Sequence, residues 1–340
     1  LKKKTNQNKR HLAARQRYQL KRSRWANGKR NKKLGKYSFT GELEYVICPA
    51  PIYFNLSPIN ADRTIEYINQ VKKLGNKRKG VDFNLRDVTD IGVGAISMLL
   101  SVMEELRGQG IRFRGTKPDN IDAKNVLERS GFMKFVHGNV SIENKNSKNI
   151  IFTGNKRTHH TEILDAIHDS METVWGVKGR SQLLYGTIVE MIKNSCKHAF
   201  KSDKNVRWHF AVSHDQMTNT VKFSFVDNGI GVVSSHEKDN LLRKFGGIFR
   251  NNAEFIEGAY TEGIKSKTGL SWRGTGLPTI YETFDFGIIK NLAVITNDVY
   301  CNFDSNSKLI LNNQFKGTYY FLEVNKDCFK QCFPIEYDRN

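Results

Sequence analysis

Apolar and polar positions change period along the chain, and each change marks an element. Over residues 60–74 and again over 94–107 the apolar residues recur every three to four positions, with Ile96, Leu99, Leu100, Met103 and Leu106 forming one such stripe. Both segments are therefore predicted helices. Short apolar runs at 43–48, 81–85 and 111–113 are predicted strands. Gly108 stops the second helix, and Asp119 is placed to cap a third that runs to Arg129 before Gly131.

A polar stretch rich in Asn, Lys and Ser, 143–149, reads as a linker. Beyond it, helices are predicted at 162–174 and 181–200. Trp208, Phe210 and Val212 alternate on one strand and Val221, Phe223 and Phe225 on the next, around a turn at 215–219. The long glycine-bearing segment 232–272 has the character of a lid. Pro278 marks the first turn of a helix at 277–284, and strands at 288–296, 309–311 and 318–324 follow. The expected class is α/β (α+β), with a tail at 1–39 and two α/β units at 40–149 and 150–340.

Composition changes this picture at one place. Of the 54 Lys and Arg, fifteen lie between Lys2 and Lys36, ahead of the first acidic residue, Glu42, so most of the net charge of +20 belongs to the tail. Lys2, Lys3, Lys4, Arg10, Arg15, Arg17, Lys21, Arg22 and Arg24 are candidate phosphate contacts on RNA or DNA, with Tyr18 and Trp25 able to stack on bases. The plainer alternative is a solvated extension. Cys48, Cys196, Cys301, Cys328 and Cys332 are odd in number and scattered, as expected of reduced thiols, and no second pair completes a zinc set with Cys328 and Cys332. No apolar run approaches the ~18 residues of a membrane span. A soluble, cytoplasmic protein is expected, with no membrane partner.

Candidate chemistry gathers in the second unit. Glu190, Asn194 and His198 are spaced by four and share one helix stripe, opposite Leu184, Ile188 and Ile192. A carboxylate there can orient a water and an amide oxygen can ligate Mg²⁺, although such a pair is more often a solvated face. Asp227 shares the parity of Phe223 and Phe225, so it points to the helix-covered side of its sheet, where a carboxylate needs donors such as an adenine amino group. Asn228-Gly229-Ile230-Gly231 supplies a sharp turn; a plain strand-end turn is the alternative. Arg273-Gly274-Thr275-Gly276-Leu277 opens a helix with glycine-rich amides suited to phosphates.

Taken in order, these segments resemble the N box and the two glycine boxes of the GHKL (HATPase_c, Bergerat-fold) family, which groups gyrase, heat-shock chaperone, histidine-kinase and mismatch-repair ATPases. The resemblance implies ATP and Mg²⁺ as cofactors, with Glu190 as the base or orienter of water and Asn194 as the metal ligand. It implies that Asp227, Gly229 and Gly231 line the adenine pocket. Lys267, Gly274, Thr275, Gly276, Leu277 and Thr318 fall in the segments that would complete the nucleotide site. Residues 81–136 resemble the second half of a STAS domain, the fold of anti-sigma-factor antagonists. Where signalling members carry a phosphorylatable serine, this chain has Asp90-Ile91-Gly92-Val93-Gly94, with no hydroxyl.

Three functions fit that pairing. One is an ATP-switched regulatory protein, a slow ATPase whose nucleotide state gates a protein partner at the STAS-like unit, with nucleic acid as a partner for the tail. Another is a serine kinase acting in trans. The third, a histidine kinase, lacks a hairpin acceptor, since His168 sits on a helix of the ATPase unit itself. A homodimer is left open.

Overall fold

The structure is a computed structural model that describes residues 44–76, 80–137, 148–154, 159–198, 207–238, 251–261 and 276–328. Two compact units divide the chain, Leu1–Glu44 and Tyr45–Asn340, and the described residues fall in the second but for Glu44. The tail and its candidate phosphate contacts lie outside them.

The alternating strands of the C-terminal half build a five-stranded antiparallel sheet in the order β6-β7-β8-β10-β9. Its strands are β6 (Ile150–Gly154), β7 (Trp208–Asp215), β8 (Thr220–Asp227), β9 (Lys290–Asn302) and β10 (Ser307–Val324). The β7–β8 turn forms as its residue types dictate. Asp215 accepts from the amides of Met217 and Thr218, and Asn219 takes a positive φ.

Both faces of the sheet are covered, in keeping with the apolar residues at successive positions of its strands. On the front lie α5 (His160–Trp175), α6 (Gln182–His198), α8 (Asn252–Thr261) and α9 (Gly276–Asp285). Ile167, Ile188, Phe255 and Ile280 of these helices meet Phe210, Phe223, Phe225 and Tyr320 in one cluster. On the back lie α1 (Ala61–Asn76) and α2 (Val93–Gly108), whose Ile65, Ile96, Leu99 and Met103 meet Val226, Ala293, Ile295 and Tyr319. Full burial of each such side chain contributes ~1.5–3 kcal/mol. The back cluster thus fuses the N-terminal and C-terminal halves into one core.

The N-terminal half adds a parallel sheet, β1-β3-β5, from β1 (Tyr45–Pro49), β3 (Gly80–Asn84) and β5 (Phe113–Thr116). A two-residue parallel pair joins β2 (Tyr53–Phe54) to β4 (Asp90–Ile91). Helices α3 (Ile121–Arg129) and α4 (Phe132–His137) complete it, and Gly131 between them takes φ +83°. The class is mixed α/β, as expected, and no helix among the described residues is long and apolar enough to cross a membrane.

Several elements depart from expectation. Asn120, and not Asp119, caps α3, because its Oδ1 accepts from the amides of Asp122 and Ala123 at 3.0 Å. Ile150–Gly154 is a strand, in a stretch just past the expected linker for which no element was predicted. The strands predicted at 309–311 and 318–324 are one strand, β10, whose register shifts between Ile310 and Phe315 and again before Thr318. Within the supposed lid, α7 (Val232–Lys238) and α8 are packed helices: Val233, Phe255, Ile256 and Tyr260 are buried in the front core. The remainder of that segment, 239–250 and 262–272, lies outside the described residues.

Candidate functional site

Apolar Leu184, Ile188 and Ile192 anchor α6 to the sheet, and this rotates its polar stripe toward α9. Ser181 accepts from the amide of Leu184 and so starts the helix. At the other end of the stripe, Glu190 and Asn194 are both part-buried. They face the first residue of α9: a Cβ built on Gly276 would stand 2.8 Å from Asn194 Oδ1 and 3.2 Å from Glu190 Oε2. A side chain at this position would press on both groups. Glu190 Oε1 accepts from Lys193 Nζ at 2.6 Å. Asn194 Nδ2 is buried without a hydrogen-bond partner among the described residues, an arrangement that a bound acceptor would relieve.

The next residue, Ser195, reaches the sheet. Its Oγ donates to Asp227 Oδ2 at 2.6 Å, while Asp227 Oδ1 accepts from the amides of Gly229 at 2.8 Å and Thr318 at 3.2 Å. Asp227 is buried at the end of β8, on the front face its parity predicts. Burial pushes its carboxyl above the usual carboxylate range, and the Ser195, Gly229 and Thr318 donors act in the opposite sense. Gly317, at φ +138°, lets β10 pass so close to the Asp227 carbonyl that a side chain there would collide with it.

The turn after Asp227 is pinned to β9. Gly231 takes φ +81° against the side chain of Asn297. Asn297, itself at φ 55°, donates to Ile230 O at 3.0 Å and accepts from the amide of Val233 at 3.1 Å, which caps α7. Thr296 Oγ1 accepts from the amide of Val232 and donates to Gly317 O at 3.1 Å. The turn at Gly231 and the passage of β10 at Gly317 are therefore tied to one another through β9.

Of the residues singled out from sequence, Glu190, Asn194, Asp227, Gly229, Gly231, Gly276, Leu277 and Thr318 fall among the described residues. Two groups of direct contacts form, one around Asp227 and one around Gly276, and the Asn194-Ser195 step of α6 links them. Lys267, Gly274 and Thr275 lie outside the described residues, as does Cys332; His198 closes α6. Sequence reasoning missed Ser195, Thr296 and Asn297. Adjacency to Asn194 was the one signal for Ser195, and the polar Thr-Asn step inside an apolar strand was the signal for the other two. Among the described residues no cluster of His, Cys, Asp or Glu is arranged to hold a metal ion by itself. No protein-family model matches the chain, and no curated protein matches it.

Proposed function

We propose that this chain is an ATP- and Mg²⁺-binding regulatory protein of the GHKL type, its Bergerat-fold half carrying a STAS-like half on the back of its sheet. The observation that carries the reading is the buried Asp227 carboxylate, held by Ser195, Gly229 and Thr318 one residue step from an amide whose donor has no partner among the described residues. An adenine amino group suits such a carboxylate. Asn194 suits Mg²⁺ through Oδ1 and a phosphate oxygen through Nδ2. When bound, the metal neutralises charge on the phosphates. Glu190 orients the attacking water with its Oε2, while Lys193 holds Oε1.

Nucleotide binding then biases the segments that follow Gly231 and precede Gly276, and through them the partner bound at the STAS-like half. The basic tail adds nucleic acid as a partner. Deleting residues 1–36 then lowers nucleic-acid affinity and its salt slope, by roughly 0.7–0.9 per lost phosphate contact.

Calorimetry of Mg·ATP against the wild-type protein, Asp227→Asn, Asn194→Ala and Glu190→Ala tests the nucleotide reading. Binding is expected in the wild type and Glu190→Ala, and weakened in the other two. No binding to wild type, or equal affinity in all four, overturns it. With γ-labelled ATP, label is expected in free phosphate; stoichiometric label on a partner serine would instead make the chain a kinase in trans.

A further inference from the structure

The two helices that frame the Gly276 contact, α6 and α9, meet again at a buried hydroxyl pair. Thr187 Oγ1 lies 2.7 Å from Thr283 Oγ1, and the two residues are 0 % and 3 % exposed. Around them the core is apolar, with Leu184 and Ile188 on α6 and Ile280 on α9. Packing alone would be served by valine, which has a similar shape and needs no partner.

The pair stands one heptad from the candidate site on both helices. Thr187 precedes Asn194 by seven residues, and Gly276 precedes Thr283 by seven. Seven residues make about two turns of an α-helix, ~10 Å, so Thr187 and Asn194 project from one side of α6, as Gly276 and Thr283 do from α9. The helices are antiparallel along this seam: Thr187 meets Thr283 at one end, and Glu190 and Asn194 meet Gly276 at the other. Equal spacing couples the two ends. An axial slip of α9 at Thr283 moves Gly276 by the same amount.

Hydrogen bonding gives the contact a direction. Thr187 Oγ1 lies 3.0 Å from the carbonyl of Leu183, and Thr283 Oγ1 lies 3.0 Å from the carbonyl of Thr279. Each hydroxyl has one proton, so one donates to its own helix while the other donates across the seam. Such a link has one preferred length, whereas apolar side chains can slide past one another. Single polar contacts fix register between helices for that reason. Thr283 is also held from its far side, since its carbonyl accepts from the amide of the buried Ile288 at 3.1 Å, just ahead of β9.

We propose that Thr187 and Thr283 are positioning residues of the nucleotide site: their hydroxyl contact sets the register of α9 on α6, and that register holds the first turn of α9 against Glu190 and Asn194. The inference rests on the nucleotide reading given above. Neither threonine belongs to the two contact groups of the site; both act through Gly276.

The test compares the full chain carrying Thr187→Val with Thr283→Val, Thr283→Val alone, or Thr283→Ser with the wild type. Mg·ATP calorimetry and urea unfolding are joined by NMR, without nucleotide, of the Asn194 side-chain amide and the Gly276 backbone amide. The double valine variant leaves no hydroxyl unpaired, so its urea midpoint is expected to stay close to the wild type's. Its Mg·ATP affinity is expected to fall about tenfold, because the start of α9 and the Asn194 amide no longer stand in register. Its Asn194 and Gly276 signals are expected to move. Thr283→Val alone is expected to behave like the double variant, whereas Thr283→Ser keeps the hydroxyl and is expected to bind within about twofold of the wild type. Wild-type affinity in the double variant, unmoved Asn194 and Gly276 signals, or equal losses in Thr283→Ser and Thr283→Val overturns the positioning role. So does a loss of affinity that merely follows a loss of urea midpoint. Absence of Mg·ATP binding in the wild type itself is the separate failure of the nucleotide reading, and moved signals in the double variant would then still uphold the register.

Discussion

Ser195 Oγ donates to Asp227 Oδ2 at 2.6 Å, and this bond fastens α6 to the end of β8 in the dry interior. Both partners are at most 4 % exposed, so water cannot replace either. Ser195→Ala is expected to cost ~1–3 kcal/mol in urea unfolding. With that donor gone, the Asp227 carboxyl moves further above its unfolded value. A raised carboxyl contributes its stability at low pH and loses it as pH rises, so the deficit should be larger at pH 8 than at pH 5. A double-mutant cycle with Asp227→Asn checks the assignment, and strict additivity would reject it.

Gly276 sets the start of α9 against the Glu190–Asn194 stripe. A methyl group there would stand 2.8 Å from Asn194 Oδ1 and 3.1 Å from Nδ2, so the amide must move by a few tenths of an ångström. Gly276→Ala is expected to leave stability within about 0.5 kcal/mol, since alanine favours a helix. On the proposed nucleotide reading Mg·ATP affinity should fall about tenfold, because the Asn194 amide is displaced from the position that reading requires of it. Calorimetry alongside urea unfolding separates the two effects, and unchanged affinity would remove Asn194 from the site.

How much of this was legible beforehand depended on the range of the interaction. Helix stripes such as Leu184, Ile188 and Ile192, and the parity that turns Asp227 inward, are local periodicities, and the structure keeps them. The short strand Ile150–Gly154 borders a polar run and acquires its identity only by pairing with Trp208–Val212. Asn297 interrupts β9 at positive φ, so Leu292 and Val294 face the front as Val299 and Cys301 do, with the parity switched between them. Nothing in the period of that segment announces a bulge whose purpose is to cap a helix that starts at Val232. The covering of the sheet's back by α1 and α2 is likewise a tertiary event. It is visible only in hindsight, in the apolar Val226, Ala293 and Ile295 between front-facing neighbours.

The join between the halves contains a buried polar contact that can be broken selectively. Glu104 on α2 accepts from Arg207 Nη1 at 3.1 Å and lies 3.2 Å from Nε2 of the fully buried His209. Burial pushes the Glu104 carboxyl up, but His209 and Arg207 outweigh it and hold it below the usual glutamate range. A lowered carboxyl stabilises above its unfolded value and loses that contribution as pH falls. Glu104→Ala is expected to cost ~1–3 kcal/mol at neutral pH and less under acid. Since the back cluster spans both halves, α2 and β8 should exchange their amide hydrogens in a single cooperative opening in the wild type. Exchange of α2 well ahead of β8 would mean that the halves are energetically independent.

His214 gives the fold a second contribution that is lost under acid. Thr173 Oγ1 donates to the carbonyl of Asp169, so in its 2.8 Å contact with His214 it accepts from Nδ1–H. That fixes the neutral tautomer with Nε2 bare, and Nε2 is buried without a partner among the described residues. Burial first, and the nearby Lys148 charge second, hold the imidazole at about 4, below its ordinary 6.5. A depressed value means that the unfolded chain binds the proton more readily. The contribution is therefore complete above about pH 6.5 and is lost as pH falls toward 4. Within that window unfolding should take up close to one proton at His214, a slope of up to about 1.4 kcal/mol per pH unit. His214→Gln keeps a polar group beside Thr173 but cannot take up that proton, so its stability should be flatter than the wild type's between pH 6.5 and 4. Parallel curves for the two proteins across that window would show that His214 is not the group responsible.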